Sequence, residues 1–304
     1  MEVPGRRSQR VSLAPLALLS LVVTLAACGG GAGSGPQQPS PTATKGALSV
    51  LYAGSLVNLM EHDLGPAFAK ASGYAYEGYG AGSTELVSQI KGGVRYGDVF
   101  VSASPSANQG LQGSANRNLV TWYATFAKAP LVLGYNANSA FASDFRSRPW
   151  YQVITEPNIR IGRTDPTLDP KGKLTVDALT QAASTLNMPS LTAAEPSFAV
   201  FPEETLVGRL ESGQLDAGFF YSNEAKEQSI PTVPLTPVSL SATYTVTVLN
   251  NAEHPAAGTA FVAYLLSSKG QATLTRHGIT VLQPSLTGDS SAVPSSLRSL
   301  FSSG

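Results

Sequence analysis

The chain has 304 residues, 42% of them hydrophobic, and its 20 Lys and Arg residues balance its 20 Asp and Glu residues. This length allows one large domain or two modest ones with a substantial hydrophobic core. Balanced charge gives no basic surface for nucleic acid, and one Cys with three scattered His residues excludes an internal disulfide and provides no zinc-binding spacing.

The N-terminal residues predict an export signal and a lipid anchor. Arginines within the first ten residues precede an apolar run over residues 11–27, which is the layout of a secretory signal. The run Leu25-Ala26-Ala27-Cys28 resembles the bacterial lipoprotein cleavage box, in which the Cys becomes the lipidated first residue. We expect residues 1–27 to be the signal peptide, Cys28 to carry the lipid, and the remainder to lie outside the cytoplasm at the cell membrane. An uncleaved transmembrane anchor is the alternative.

Two segments lack the apolar pattern of a folded core. Residues 29–46 are small, polar or Pro, so we predict a flexible tether over 28–46. Residues 285–304 are rich in Ser and poor in apolar periodicity, so we predict a disordered tail there.

From Ala47 onward, short β-type runs alternate with helical patterns, which predicts an α/β fold with largely parallel strands. The predicted strands are Leu48–Ala53, Tyr74–Tyr79, Asp98–Ser102, Pro130–Tyr135, Ile159–Arg163, Ala217–Tyr221 and Thr243–Leu249. Helical spacing of apolar residues occurs over 56–68, Thr84–Lys91, Lys173–Leu186, Glu204–Glu211, Pro255–Leu266 and Gly270–His277.

Small hydroxyl residues follow the first two predicted strands. Gly54-Ser55 follows the first, and Gly82-Ser83 follows the second. Ligands of open α/β sheets bind beyond the carboxyl ends of strands, where helix N-termini carry partial positive charge and unpaired N–H donors. Two such corners facing each other can hold a small dianion without Lys or Arg. Taken singly, each Ser fits ordinary helix capping better.

Two further positions are candidates for ligand contact. In the loop over residues 164–172, two prolines fix the backbone and the N–H of Lys171 would point outward at a helix start. Tyr221 ends a predicted strand, where its phenol can donate a hydrogen bond to a ligand. The alternatives are an ordinary loop and a Tyr that satisfies itself at the surface.

Five segments resemble, in the same order, segments of periplasmic molybdate- and tungstate-binding proteins, and the resemblance covers about Leu48–Ile279. They are Ala-Gly-Ser-Leu (53–56), Gly-Ala-Gly-Ser-Thr-Glu-Leu-Val-Ser-Gln-Ile (80–90), Gly-Asp-Val-Phe-Val-Ser-Ala (97–103), Asp-Pro-Thr-Leu-Asp-Pro-Lys-Gly (165–172) and Glu-Ser-Gly-Gln-Leu-Asp-Ala-Gly-Phe-Phe-Tyr (211–221).

The resemblance implies an α/β, two-lobed periplasmic binding protein fold of type II, with a mixed, mostly parallel sheet flanked by helices in each lobe. Lobe one would contain residues 47–130 and 237–284, and lobe two residues 131–236. The implied function is that of a monomeric solute receptor of an ABC importer, which captures molybdate or tungstate in the cleft. It would work with a membrane permease and a separate ATPase subunit, without catalysis, a metal ion or a cofactor of its own.

The resemblance also assigns the binding residues by position. Ser55 and Ser83 donate hydroxyl and amide hydrogens, and Tyr221 donates its phenol. Two backbone amides complete the shell, those of Lys171 and Glu203, with Glu203 acting through its N–H only.

Carboxylates enter the coordination shell in the archaeal branch that the chain also resembles, including a Glu immediately before the final Tyr. Phe220 stands at that position here, although an Asp near Asp169 is retained. This substitution favours a four-coordinate anion held only by hydrogen bonds. In a shell made only of donors, the O–H of hydrogen phosphate would point at another donor, and that contact is unfavourable. Sulfate carries no hydrogen, so only the size of the cavity can exclude it.

Two other functions stay open. The same fold binding sulfate, phosphate, ferric ion or a small organic anion is one, because fold does not fix cargo. A serine acyl-transfer enzyme is the other, since Ser88-Gln89-Ile90-Lys91 matches S-x-x-K and Tyr221-Ser222-Asn223 resembles a second motif of penicillin-recognising enzymes. The third motif of those enzymes, K-T-G, is missing from the sequence.

Overall fold

The computed structural model describes residues 45–301, so the predicted signal peptide, Cys28 and nearly all of the predicted tether lie outside the described residues. Within this range the strands are β1 (Ala47–Ala53), β2 (Ala75–Ala81), β3 (Val99–Ser102), β4 (Trp122–Tyr135), β5 (Ile161–Arg163), β6 (Ala199–Val200), β7 (Ala217–Tyr221), β8 (Thr232–Pro234), β9 (Ser241–Val248) and β10 (Thr280–Gly288).

The helices of the same range overlap every helical pattern predicted from the sequence. They are α1 (Gly65–Ser72), α2 (Ser83–Lys91), α3 (Pro105–Gln109), α4 (Ala142–Ser147), α5 (Trp150–Val153), α6 (Pro170–Leu186), α7 (Ser190–Ala194), α8 (Glu203–Glu211), α9 (Ser222–Glu227), α10 (Pro255–Leu266) and α11 (Ser268–Arg276). A 3-10 turn (Gly54–Leu56) and a π-helical segment (Leu59–Leu64) connect β1 to α1.

The strands pair in the order β2-β1-β3-β9-β4-β7-β5-β6, and β8 and β10 also pair with β4. Parallel pairs join β1 to β2 and β3, and β5 to β6 and β7. Strand β9 is antiparallel to β3 and β4, and β4 is antiparallel to β7, β8 and β10. The predicted α/β fold is confirmed, but the prediction of mostly parallel strands is wrong at the centre. The alternation of apolar and polar residues along a strand shows which of its faces is buried. It does not show whether the adjacent strand runs parallel or antiparallel.

Strand β4 belongs to both halves of this sheet. Its residues from Ala124 to Pro130 pair with β9, whereas Leu131 to Tyr135 pair with β7. The change of partner falls at the predicted boundary between residues 130 and 131. The division into two lobes stays a prediction, and β4 is one of the segments that would connect them.

Helices cover both faces of the strands because alternate residues point to opposite sides. In β1, Val50 packs in a cluster with Phe68 and Phe261, whereas the neighbouring Leu51 packs in a second cluster with Leu86. Both faces of β1 are therefore buried, and the ends of the strands are left to form the site.

The second half of the sheet repeats this arrangement. Phe219 of β7 lies in the same cluster as Leu179 of α6, while Phe220 packs with Leu206 of α8. Phe220 is therefore a core residue, in keeping with its apolar character. Because successive side chains of a strand point to opposite sides, Tyr221 faces away from Phe220 and toward the site.

The prediction of a disordered tail over residues 285–304 is wrong over most of its length. Strand β10 extends to Gly288, and 3-10 turns follow at Ser290–Ala292 and Ser295–Leu300. Val293 and Leu297 are buried in the main cluster. These two apolar residues, four positions apart, hold the Ser-rich segment against the core. The apolar pattern extends no further along the segment, which is why the sequence did not indicate an ordered structure.

We expect Val293→Ala to lower the free energy of unfolding by about 1–2.5 kcal/mol, because it removes two buried methyl groups and leaves a small cavity. Chemical denaturation followed by circular dichroism measures this change. Ser296→Ala, an exposed position in the following turn, is the control and is expected to stay within about 0.5 kcal/mol. Equal stabilities for the two variants would mean that the segment does not pack on the core in solution.

Within residues 45–301, no helix combines the length and the apolar character that crossing a membrane requires.

Candidate functional site

The five residues predicted to bind the ligand are all buried, and each lies where a strand or a loop meets a helix. They are Ser55 in the turn after β1, Ser83 at the first residue of α2, Lys171 in the first turn of α6, Glu203 at the first residue of α8 and Tyr221 at the last residue of β7. Contacts among their neighbours bring these helix starts together, while their roles in binding stay predictions.

Ser55 joins the turn after β1 to distant parts of the chain. Its hydroxyl lies 3.2 Å from the hydroxyl of Tyr244 on β9, and its carbonyl accepts a hydrogen bond from the Asn223 side-chain amide at 2.9 Å. Asn223 belongs to α9. The turn therefore contacts both halves of the sheet.

Ser83 begins α2 directly against the loop that leads into α6. Its Oγ accepts the N–H of Ala103 at 3.0 Å, which leaves its own hydroxyl hydrogen free to be donated elsewhere. A Cβ on the preceding Gly82 would lie only 2.6 Å from the Leu168 carbonyl oxygen. Glycine at this position is what allows the two backbones to approach.

Lys171 differs from its predicted role. Helix α6 is capped by Asp169, whose Oδ1 accepts the Lys171 N–H at 3.0 Å, so the amide predicted to face a ligand is taken by the cap. The side chain instead enters the site, where Lys171 Nζ lies 2.7 Å from Glu224 Oε1 and 3.5 Å from Glu203 Oε1. Its exposed fraction is 0%.

Glu203 contributes more than the backbone N–H that was predicted. As the first residue of α8, it has an N–H without an acceptor inside the helix, which fits the prediction. Its carboxyl group, however, is fully buried against Lys171 and against Gly54, where an added Cβ would lie 2.9 Å from Glu203 Oε2. Among the described residues, neither carboxyl oxygen has a hydrogen-bond partner.

Tyr221 places a phenol in the same cluster. Its N–H donates to Glu224 Oε2 at 2.7 Å, and its ring packs edge-on against that of Tyr244 with 6.3 Å between centroids. The hydroxyl is buried and has no hydrogen-bond partner within residues 45–301. A buried, unpartnered hydroxyl is costly unless a group outside the described residues accepts its hydrogen.

Burial and mutual charge set the protonation of this cluster. Burial raises the pKa of Asp169 to about 6 against the opposing effect of Lys171. Burial, followed by the charge of Asp169, raises the pKa of Glu203 well above its ordinary value. Burial alone would lower the pKa of Lys171, but Glu224, Glu203 and Asp169 outweigh it and leave that pKa raised. The ammonium therefore stays charged, while Glu203 favours its neutral acid.

The donor-only shell stays a prediction, although acceptor atoms lie beside the predicted donors. Asp169 Oδ2 and both Glu203 oxygens are buried and lack hydrogen-bond partners in the described part of the chain, so acceptors stand beside the donors. A motif identifies the backbone position at a helix start. It does not reveal that α8 packs so that the Glu203 side chain points inward.

Three residues of the cluster, Asn223, Glu224 and Tyr244, were not predicted from the sequence. Glu224 had a partial signal, because a Glu three residues after a helix cap is typical of a capping box, and its Oε2 accepts the N–H of the cap residue Tyr221. Tyr244 had none, since it is one residue of a predicted strand. Its approach to Ser55 depends on the sheet order, in which β9 pairs with β3 and β3 pairs with β1.

The residues that suggested an acyl-transfer enzyme do not form a nucleophile and base. Ser88 is exposed in the interior of α2, and its hydroxyl donates to the Thr84 carbonyl at 3.2 Å, which is ordinary back-bonding within a helix. Asn223 is used in holding the Ser55 carbonyl.

Solved periplasmic binding proteins share this fold. The periplasmic molybdate-binding protein of Azotobacter vinelandii matches with a TM-score of 0.61 and 20% identity over 78% of this chain and 100% of that one. The periplasmic binding protein AfuA of Actinobacillus pleuropneumoniae, solved with fructose-6-phosphate bound, matches with a TM-score of 0.61 and 15% identity over 78% and 85%. These similarities establish the fold.

Sequence similarity identifies the family. A Haloferax volcanii protein, named as an ABC transporter molybdenum-binding protein, is 30% identical over 233 residues, which cover 76% of this chain and 70% of that protein. The family model described as bacterial extracellular solute-binding protein matches residues 48–280. This chain therefore belongs to the bacterial extracellular solute-binding protein family.

Proposed function

We propose that the protein is the extracytoplasmic solute-binding component of an ABC importer and captures molybdate or tungstate between its two predicted lobes. The observation that carries this proposal is the buried Tyr221 hydroxyl, which has no hydrogen-bond partner within residues 45–301. The hydroxyl hydrogen of Ser83, whose oxygen accepts the Ala103 N–H, is a second available donor. The similarity to a relative named for molybdenum supports the choice of cargo.

The donors come from separate elements and are uncharged. The hydroxyls of Ser55, Ser83 and Tyr221 and the N–H at the start of α8 can each point to one oxygen of a tetrahedral anion. Hydrogen bonds to a charged oxygen are about twice as strong as neutral ones. Lys171 adds little net charge, because Glu224 neutralises it at 2.7 Å.

Binding would favour contact between the predicted lobes, since the donors belong to both. Hydrogen bonds already join residues of the two predicted lobes, including those from the Asn223 amide to the Ser55 carbonyl and from the Glu85 N–H to the Leu168 carbonyl at 2.8 Å. A permease can then recognise the closed, loaded form, and release follows opening. A separate ATPase subunit would supply the energy.

The protein would act as a monomer held at the cell surface. Removal of residues 1–27 and lipidation of Cys28 would leave the folded body on the tether over residues 28–46. This arrangement keeps a receptor near its permease without a membrane-spanning helix.

A different anion is the second candidate. The buried acceptors of Asp169 and Glu203 suit a ligand that carries a hydrogen, such as hydrogen phosphate or the hydroxyls of a phosphate ester. The structural similarity to AfuA, solved with fructose-6-phosphate, supports this alternative.

Thermal unfolding with a panel of anions separates the two candidates. We expect molybdate and tungstate to raise the Tm, because a ligand of the native state at one hundred times its Kd stabilises by about 2.7 kcal/mol. Sulfate, phosphate and fructose 6-phosphate are the comparison ligands and should produce much smaller shifts. A larger shift with phosphate or the sugar phosphate would favour the second candidate, and no shift with any anion would contradict both.

A further inference from the structure

A buried carboxyl group at the centre of the site has no task in the binding scheme above. Glu203 lines two cavities of about 160 and 180 Å³, one shared with Gly82 and Asp169 and the other with Ser55 and Glu224. Its side chain is 0% exposed. A carboxyl group so placed borders any ligand that contacts Ser55.

The two oxygens of Glu203 have different surroundings. Oε1 lies 3.5 Å from Lys171 Nζ, whose charge suits an acceptor oxygen. Oε2 points to the corner at Gly54, the residue before Ser55. Since neither oxygen has a hydrogen-bond partner within residues 45–301, a hydrogen on Oε2 would be free for a ligand at that corner.

The charges that face Glu203 do not balance. Lys171 on α6 and Glu224 on α9 neutralise each other at 2.7 Å, which leaves Asp169 at the start of α6 and Glu203 itself as surplus carboxyls. The phenols of Tyr221 on β7 and Tyr244 on β9 lie nearby and are neutral. Four further carboxyl groups line the same two cavities, those of Glu85, Asp165, Glu204 and Glu227. A dianion beside an ionised Glu203 would therefore add like charge to a buried site.

We propose that Glu203 takes up a proton from solvent when the oxyanion binds and donates the resulting O–H hydrogen bond from Oε2 to an oxygen of the ligand. This inference rests on the proposed function. It makes Glu203 a specificity-determining residue that favours fully deprotonated oxyanions, because its hydrogen needs an acceptor. Burial and the charge of Asp169, which raise the pKa of Glu203, act in the same direction.

The sign of the pH dependence follows from the two states. With the cleft open, solvent surrounds Glu203, which then has the ordinary pKa of an exposed Glu and is ionised at neutral pH. In the loaded form it carries the proton. Binding therefore consumes one proton, and the affinity falls about tenfold per pH unit while the pH lies between the two pKa values.

Isothermal titration of the lipid-free secreted protein with molybdate, at pH 6 to 8 in buffers of different ionisation enthalpy, counts the protons. The variant Glu203→Gln keeps the size of the side chain and a hydrogen-bond donor. On binding molybdate it is expected to take up about one proton fewer than the wild type. Its Kd should also lose the tenfold change per pH unit that is expected for the wild type. Glu211→Gln, an exposed position at the other end of the same helix, is the control and should match the wild type. An infrared carboxylic-acid C=O band that appears on binding should be missing only from Glu203→Gln.

Two results would overturn the inference, and they differ. If molybdate binds and Glu203→Gln takes up as many protons as the wild type, the protonation of Glu203 is refuted and the proposed function stands. If neither molybdate nor tungstate binds at any pH in this range, the proposed function fails and the inference fails with it.

Discussion

Replacing Lys171 with Met is expected to lower the free energy of unfolding by about 3–5 kcal/mol. The ammonium is fully buried between Glu224 and Glu203, so its removal leaves carboxylates without a countercharge in a dry site. Met retains most of the volume, which separates the loss of charge from the loss of packing. Chemical denaturation at pH 7 measures the difference.

Two variants control for this result. Lys173→Met removes an exposed Lys from the same helix, where it pairs only with the partly exposed Asp177, and should change stability by less than about 1 kcal/mol. The double variant Lys171→Met/Glu224→Gln removes both members of the buried pair and should recover much of the loss. Equal stabilities of Lys171→Met and Lys173→Met would mean that the buried cluster does not form.

The deficit of Lys171→Met should shrink as the pH falls from 8 to 5. Raised carboxyl pKa values mean that the folded state binds protons more tightly than the unfolded state, so their contribution to stability is present at low pH and lost as pH rises. Asp169, with a pKa of about 6, already lies in this window. Losing Lys171 removes the charge that opposes this rise, so the variant is penalised most at high pH.

Replacing Ser55 or Ser83 with Ala is expected to weaken molybdate binding by about 1.5–3 kcal/mol each, or roughly tenfold to 150-fold in Kd. Each substitution removes a hydroxyl that would donate to a charged oxygen. Ser83 is the stronger case, since its Oγ accepts the Ala103 N–H and its hydrogen is left for the ligand. Isothermal titration calorimetry gives both affinities.

Ser88→Ala is the matched control for this pair. Ser88 lies on the same helix as Ser83 but is exposed, and its hydroxyl bonds within the helix. Its affinity should equal that of the wild type. If Ser55→Ala and Ser83→Ala also bind normally, the donors of the site are other groups.

The sequence predicted helices and strands well where the spacing of apolar side chains and the capping residues indicate the same element. Ala217–Tyr221 and Pro255–Leu266 match the structure to the residue, because β-branched or aromatic runs and a Pro at the helix start mark them clearly. Strand β4 was predicted only over its last residues. Its first half, Trp-Tyr-Ala-Thr-Phe-Ala-Lys, contains aromatic and β-branched residues that favour strands, so the sequence carried a signal that the prediction missed. This half pairs with β9 and β10.

The sequence predicted where the site residues lie in the chain better than it predicted which charged side chains enter the site. Small residues at strand ends identify where helices begin, so Ser55 and Ser83 were found from sequence. Whether Lys171 and Glu203 present an amide or a side chain depends on how α6 and α8 pack together. That packing is tertiary, and it is also what brings Glu224 within 2.7 Å of the Lys171 ammonium.

A crystal structure of the protein grown with tungstate tests the central proposal most directly, because the heavy atom identifies its own position. The proposed function predicts tungsten within hydrogen-bonding reach, through its oxygens, of Ser55, Ser83 and Tyr221, with Glu203 beside it. Tungsten bound elsewhere, or absent at saturating tungstate, would contradict it.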